Sequence, residues 1–148
     1  MTSVSTWGSA PQPEQVRFAV LTPNGRLVIR SAPGRARDTE WGLYQDDLWA
    51  AVRAEVNPHG GDLNGIELPG GLRAKLADAA MAGTAPARYI VNLVASVVLT
   101  SLGHPPRAWY GAVAIVGTED EHGLTTSLTG PQLELIHHAY RVATDTAP

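Results

Sequence analysis

Acid–base or metal chemistry near neutral pH would have to come from five histidines and fourteen Asp and Glu residues, because the 148-residue chain contains no cysteine. Thiolate catalysis, disulfides, Cys-ligated zinc and iron–sulfur clusters are excluded on that ground. His59 lies three residues before Asp62 in the turn-rich run 57–65. The two could contact a ligand only with partners from elsewhere in the chain. His122 follows Glu119-Asp120-Glu121, an acidic turn without the ligand spacing of a calcium loop. His137 and His138 are adjacent, so on a helix they point about 100° apart. Glu134 and His138 share a helix face at i,i+4 but supply two ligands at best. His104 precedes Pro105-Pro106 and reads as a loop residue. There is no G-x-S-x-G, no phosphate-binding lysine loop, no G-x-G-x-x-G and no H-E-x-x-H. No catalytic residue and no metal ligand is therefore assigned, and no cofactor is expected. The candidate ligand or interface contacts are His59, Asp62, Trp109 and Tyr110. The two aromatics qualify because large rings at the start of a strand can line a pocket or an interface. Trp41, in a loop, is the candidate exposed aromatic. Arg26, Arg30, Arg35 and Arg37 gather in one region, but Asp38 and Glu40 stand among them and the group reads as a solvated face.

Composition narrows the classes further. A formal charge of -3 and a pI near 5.9 argue against nucleic-acid binding as the main activity. The hydrophobic content of 44% suffices for a core in one domain. The longest apolar run, 89–102, contains Asn92 and is too short to span a bilayer. Residues 1–15 lack the basic and apolar regions of a secretory signal. These features lead to the expectation of a soluble, cytoplasmic protein with a flexible tail at 1–15, one domain at 16–143 and a short tail at 144–148. Trp7 is the only tail residue expected to dock.

The elements that must position these side chains follow from periodicity. Val16, Phe18 and Val20 alternate as a strand, Pro23-Asn24-Gly25 is a turn, and 27–29 is the returning strand. Residues 31–39 read as a loop. Leu48, Val52 and Val56 form a helical stripe within 43–56, with Asp46 and Asp47 at its positive end and Pro58 beyond it. A short strand is expected at 66–68. Residues 72–81 fit either a strand or a helix. A buried helix begins at Ala87 or at Asn92 and stops at Gly103. Asn92 serves either as its N-cap or as an interior polar group bonded across the core. Residues 112–116, between Gly111 and Gly117, form an interior strand covered on both faces. Residues 124–128 are a last strand or an extended connection. Thr129-Gly-Pro-Gln132 matches a capping box, with Leu133, Ile136 and Tyr140 the buried stripe of a C-terminal helix. Val97, Leu102, Val113 and Ile115 are expected in the core. The fold class is α+β, a single compact domain with a mixed or antiparallel sheet of four to six strands and about three helices.

The pattern resembles a family. It comprises a first strand with a Pro-Asn-Gly turn, an early helix, a Gly-rich stretch, and Asn92, Ala95 and Leu99 ahead of Leu102-Gly103. Gly111 then opens a Val-Ala-Ile-Val-Gly strand, and Gly123-Leu124 and Ser127-Leu128-Thr129 precede a Gln-containing helix. Over residues 16–142 this resembles the small proteins of the DUF3846 type from phages, plasmids and actinobacteria. The resemblance implies an α+β fold, a strand at 72–81 and a mobile-element setting, and implies no catalytic residue. The first functional reading is a non-enzymatic accessory or regulatory protein working by protein–protein contact, with another protein or as a homodimer. The second is a small-ligand binder or enzyme whose site is assembled from distant residues. The third, nucleic-acid binding through Arg26–Arg37, is the weakest.

Overall fold

The sheet is built outward from the strand that carries no polar residue. In a computed structural model, which describes residues 14–58, 60–81 and 85–145, the expected interior strand occupies the middle of a five-stranded sheet of order β2-β1-β7-β6-β5. These strands are β1 (Gln15–Leu21), β2 (Leu27–Pro33), β5 (Leu63–Leu68), β6 (Leu72–Ala77) and β7 (Val113–Gly117). Every pairing in the sheet is antiparallel. Two further short strands, β3 (Arg37–Thr39) and β4 (Gly42–Tyr44), form a separate hairpin. Four helices complete the described residues: α1 (Asp46–Val56), α2 (Ala85–Arg88), α3 (Leu93–Ser101) and α4 (Gly130–Asp145). Among the described residues no helix is long and apolar enough to cross a membrane. Trp7 and His59 lie outside the described residues.

Both faces of the sheet are covered, so the central strands are buried on successive residues rather than alternate ones. Val16, Phe18 and Val20 of β1, with Ala114 and Val116 of β7, face Leu48, Val52 and Val56 of α1. Ala19, Leu21, Ala74, Leu76, Val113 and Ile115 face the other way, onto Ala95, Val98 and Leu99 of α3 and Ile136 and Ala139 of α4. The molecule is therefore a single compact α+β domain of three layers, one helix above the sheet and two below it.

Local signals hold where they are local. The β1–β2 turn uses Pro23, Asn24 and Gly25, closed by hydrogen bonds from the Thr22 N–H to the Arg26 carbonyl (2.9 Å) and from the Gly25 N–H to the Thr22 carbonyl (3.0 Å). Gly25 sits at φ +89°, which a side chain resists. The capping box closes in both directions: the Thr129 N–H donates to Gln132 Oε1 at 2.9 Å, and the Gln132 N–H to Thr129 Oγ1 at 3.2 Å. Gly103, at φ +107°, ends α3, with its own N–H and that of His104 bonded back to Thr100 and Leu99.

Several expectations are corrected. Val97 is 37% exposed and Leu102 only half-buried. Because α3 packs through Ala95, Val98 and Leu99, residues 93, 97 and 100 fall on the opposite side of the turn. The span 31–39 is not one loop, since β2 continues to Pro33 and Arg37–Thr39 pairs with Gly42–Tyr44. The first helix starts at Asp46, three residues later than expected, because Leu43 and Tyr44 belong to β4. The ambiguous span 72–81 is strand as far as Ala77 and a 3-10 turn over Asp78–Met81. The strand expected at 66–68 begins at Leu63. Residues 124–128 are an extended connection, joined to β1 by bonds from the Arg17 N–H to Ser127 Oγ (2.8 Å) and from the Leu128 N–H to the Arg17 carbonyl (3.1 Å). Strand β1 starts at Gln15 and α4 runs to Asp145, one and two residues beyond the expected domain limits of 16 and 143.

Candidate functional site

The sequence candidates separate onto opposite faces of the sheet. Asp62 borders a concavity on the α1 side, whereas Trp109 is 1% exposed and sits in the core beneath the sheet with α3 and α4. The Trp109 backbone is fixed by the Asn92 N–H at 2.7 Å and by Ser96 Oγ at 3.3 Å. Its ring meets His104 edge-on at 5.1 Å, and the Arg107 guanidinium lies over it at 4.6 Å. Its indole N–H has no acceptor among the described residues. Tyr110 is half-buried and bridges to Val91.

The titratable clusters are structural in their geometry. The Asp120 carboxylate accepts from the N–H groups of His122 (2.8 Å) and Leu124 (3.1 Å). Those bonds, with Leu124 the larger cause, hold it below the usual carboxylate range. Glu119 pairs with Arg73 at 3.2 Å. Glu134, His137 and His138 are all exposed on α4. Among the described residues no three His, Asp or Glu side chains converge as metal ligands. Arg30 of β2, Arg37 of β3 and Arg35 between them are paired, but with carboxylates of α1 rather than with Asp38 and Glu40. Arg30 meets Glu55 at 2.9 Å, Arg35 meets Asp47 at 3.2 Å and Arg37 meets Asp46 at 2.5 Å.

Two surfaces remain. The first is the concavity of about 550 Å³ between α1 and the β5–β6 end of the sheet. Trp49 and Arg53, one helical turn apart on α1, form one wall, and Lys75 of β6 reaches toward them with its ammonium 5.0 Å from the Trp49 ring. Lys75 takes this path because its cross-strand partner on β5 is Gly65. A Cβ on residue 65 would stand 2.8 Å from Lys75 Nζ, in the space the lysine occupies. Burial pushes the Lys75 ammonium below its ordinary value, and repulsion from Arg73 adds to this. Arg53 donates to the Tyr44 hydroxyl at 3.2 Å, and Asn64 donates to Asp78 at 3.2 Å. Of this group the sequence marked only Asp62, together with Trp49 as a core position. Gly65, which the sequence places at the end of the turn-rich run, falls inside β5, where a glycine lets another group approach closely.

The second surface is the outer side of α3. Ile90 is 71% exposed and Leu93 68%, and Val91 and Val97 are exposed beside them. Val97 also borders a shallow groove with Ser96, Thr100, Ser101, Pro106 and Arg107. Trp41, at the tip of the β3–β4 hairpin, is 91% exposed as expected of it. In comparisons with known proteins, no family model matches the chain, and neither does any curated protein or solved structure.

Proposed function

We propose that the protein is a non-enzymatic accessory or regulatory protein that binds another protein through the outer face of α3. The carrying observation is the exposed apolar surface of Leu93 and Val97 on α3, with Ile90 and Val91 exposed in the segment just before it. Exposed apolar side chains grouped this closely along the chain are costly in water and characteristic of interaction sites. The charge around it selects the occupant. No Asp or Glu occurs between Asp78 and Glu119, whereas Arg88 and Arg107 do. Arg107 borders the groove beside Val97 and makes no ion pair among the described residues. A two-fold contact between copies brings like patches together and sets arginine near arginine. An amphipathic segment with carboxylates along its rim offers the complementary charge instead. The mobile-element setting belongs to the same proposal and rests on the resemblance of residues 16–142.

A photo-crosslinking amino acid in place of Val97, used in cells of the source organism, tests the reading. The expected adduct is a peptide from another protein with an acidic amphipathic segment. It should be lost on Leu93→Asp and weakened on Arg107→Glu. Leu93→Asp should leave stability within about 0.5 kcal/mol, as exposed substitutions do. Adducts only to a second copy would establish self-association instead. No adduct at Val97 would overturn the reading.

A further inference from the structure

Four charged side chains, two of each sign, line the concavity between α1 and the β5–β6 end of the sheet: Arg53, Lys75, Asp62 and Asp78. Elsewhere opposite charges in reach of one another are joined, as in the pairs of Arg30, Arg35, Arg37 and Arg73. Here neither cation forms an ion pair within 4 Å among the described residues. Among those residues the Arg53 side chain is bonded only to the neutral Tyr44 hydroxyl, and Lys75 rests over the Trp49 ring. The Asp78 carboxylate accepts, among the described residues, only from the neutral Asn64 amide. The Lys75 ammonium is half-buried, with only the more distant charge of Glu119 in its favour, and an arriving anion offsets the cost of that burial. A simple anion, however, would also meet the two carboxylates that line the same concavity.

We propose that this concavity binds a small zwitterion of the amino-acid or short-peptide class, its carboxylate between Arg53 and Lys75 and its ammonium toward Asp62 and Asp78. A ligand carrying both charges answers all four side chains, whereas a purely anionic or cationic one answers two and is repelled by the others. The volume of about 550 Å³ falls within the range of small-molecule sites, roughly 300–1,000 Å³, and admits a dipeptide. Tyr44 holds the Arg53 guanidinium in place, and Gly65 leaves the Lys75 side chain its path across β5. The site lies across the sheet from the α3 face and is independent of the protein contact proposed there.

The test is a titration of isotope-labelled full-length protein, followed by amide NMR, with the twenty free amino acids, the dipeptide Ala-Ala, its N-acetyl derivative and its C-terminal amide. At least one zwitterion should give saturable shifts at Asn64, Gly65 and Lys75 with a Kd at or below about 1 mM. Blocking either end of the bound ligand should weaken it tenfold or more. Lys75→Met and Arg53→Met should weaken the zwitterion and not the amide-blocked form, whose affinity should hold or rise as the repelling cations are removed. Asp62→Asn should weaken the zwitterion and spare the N-acetyl form. Amide spectra of the free variants show whether each is folded. Equal binding of the N-acetyl form would make this an anion site and overturn the proposal, as would the absence of saturation by every probe up to about 10 mM, below any useful recognition.

Discussion

Asn92 is fully buried and uses its whole amide. Oδ1 accepts from the Ala95 N–H at 2.9 Å, which caps α3, and Nδ2 donates to the carbonyls of Leu21 at 3.0 Å and Gly111 at 2.8 Å. One side chain thus ties a helix start to the end of β1 and to the approach to β7. Asn92→Ala strands one donor and two acceptors in the core and should cost roughly 3 kcal/mol or more, combining a lost cap with unsatisfied carbonyls. Asn92→Asp keeps the cap but sets a buried carboxylate against two carbonyl oxygens, so it should cost more than alanine at neutral pH. Urea denaturation of both variants checks the order, and an aspartate variant more stable than the alanine one would refute it. In the sequence this residue stands out as the polar interruption of an apolar run, and its two candidate roles turn out to be held at once. Gln45 has the same kind of importance and gave no such signal. It is buried, donates to the carbonyls of Gly34 and Thr125 and accepts from the Thr125 N–H, a partner eighty positions away. Nothing in its neighbours along the chain encodes that distance, and the same holds for Lys75 and Trp49.

Elements were legible in proportion to how local their causes are. The Pro23-Asn24-Gly25 turn, the Thr129–Gln132 box and the Gly103 stop each depend on a few consecutive residues, and each forms. The β3–β4 hairpin was illegible because two three-residue strands, largely exposed, have no burial to alternate. The apolar run of α3 carried an ambiguity of another kind. Hydrophobic text on every side shows that a helix can be buried, while the packing of Ala95, Val98 and Leu99 against sheet and α4 determines which side is. Two truncations separate these cases. Ile115→Ala, in the middle strand and without exposure, should cost about 2–5 kcal/mol through lost burial and the cavity left behind. Val97→Ala, on the outer side of α3, should lie within about 0.5 kcal/mol of wild type, since alanine favours the helix and little packing is lost. Equal denaturation midpoints for the two variants would mean that the assignment of inner and outer faces is wrong.

At the scale of the whole molecule, charge decides among partners. The chain carries eleven Lys and Arg against fourteen Asp and Glu, so its long-range field does not attract a polyanion. The region that looks basic in the sequence is neutralised in the fold. Arg30, Arg35 and Arg37 each meet a carboxylate of α1, and the Asp46 contact raises the Arg37 pKa through its hydrogen bond and its charge. These pairs are exposed and individually worth little to stability. Their consequence is for binding, because a phosphate must compete with a carboxylate already in place for each guanidinium. Affinity for duplex DNA grows with the number of phosphates neutralised and falls steeply with salt. Labelled duplex titrated at physiological salt, with fluorescence anisotropy as the readout, should therefore show no binding tighter than the non-specific level of roughly 10⁻⁴ to 10⁻⁶ M. Asp46→Asn with Asp47→Asn frees Arg35 and Arg37 and should strengthen that weak binding at low salt, with the gain vanishing as salt is raised. Nanomolar affinity in the wild-type protein, weakened by Arg35→Ala and Arg37→Ala, would mean that the arginines leave their carboxylates for phosphate and would place nucleic acid ahead of a protein partner.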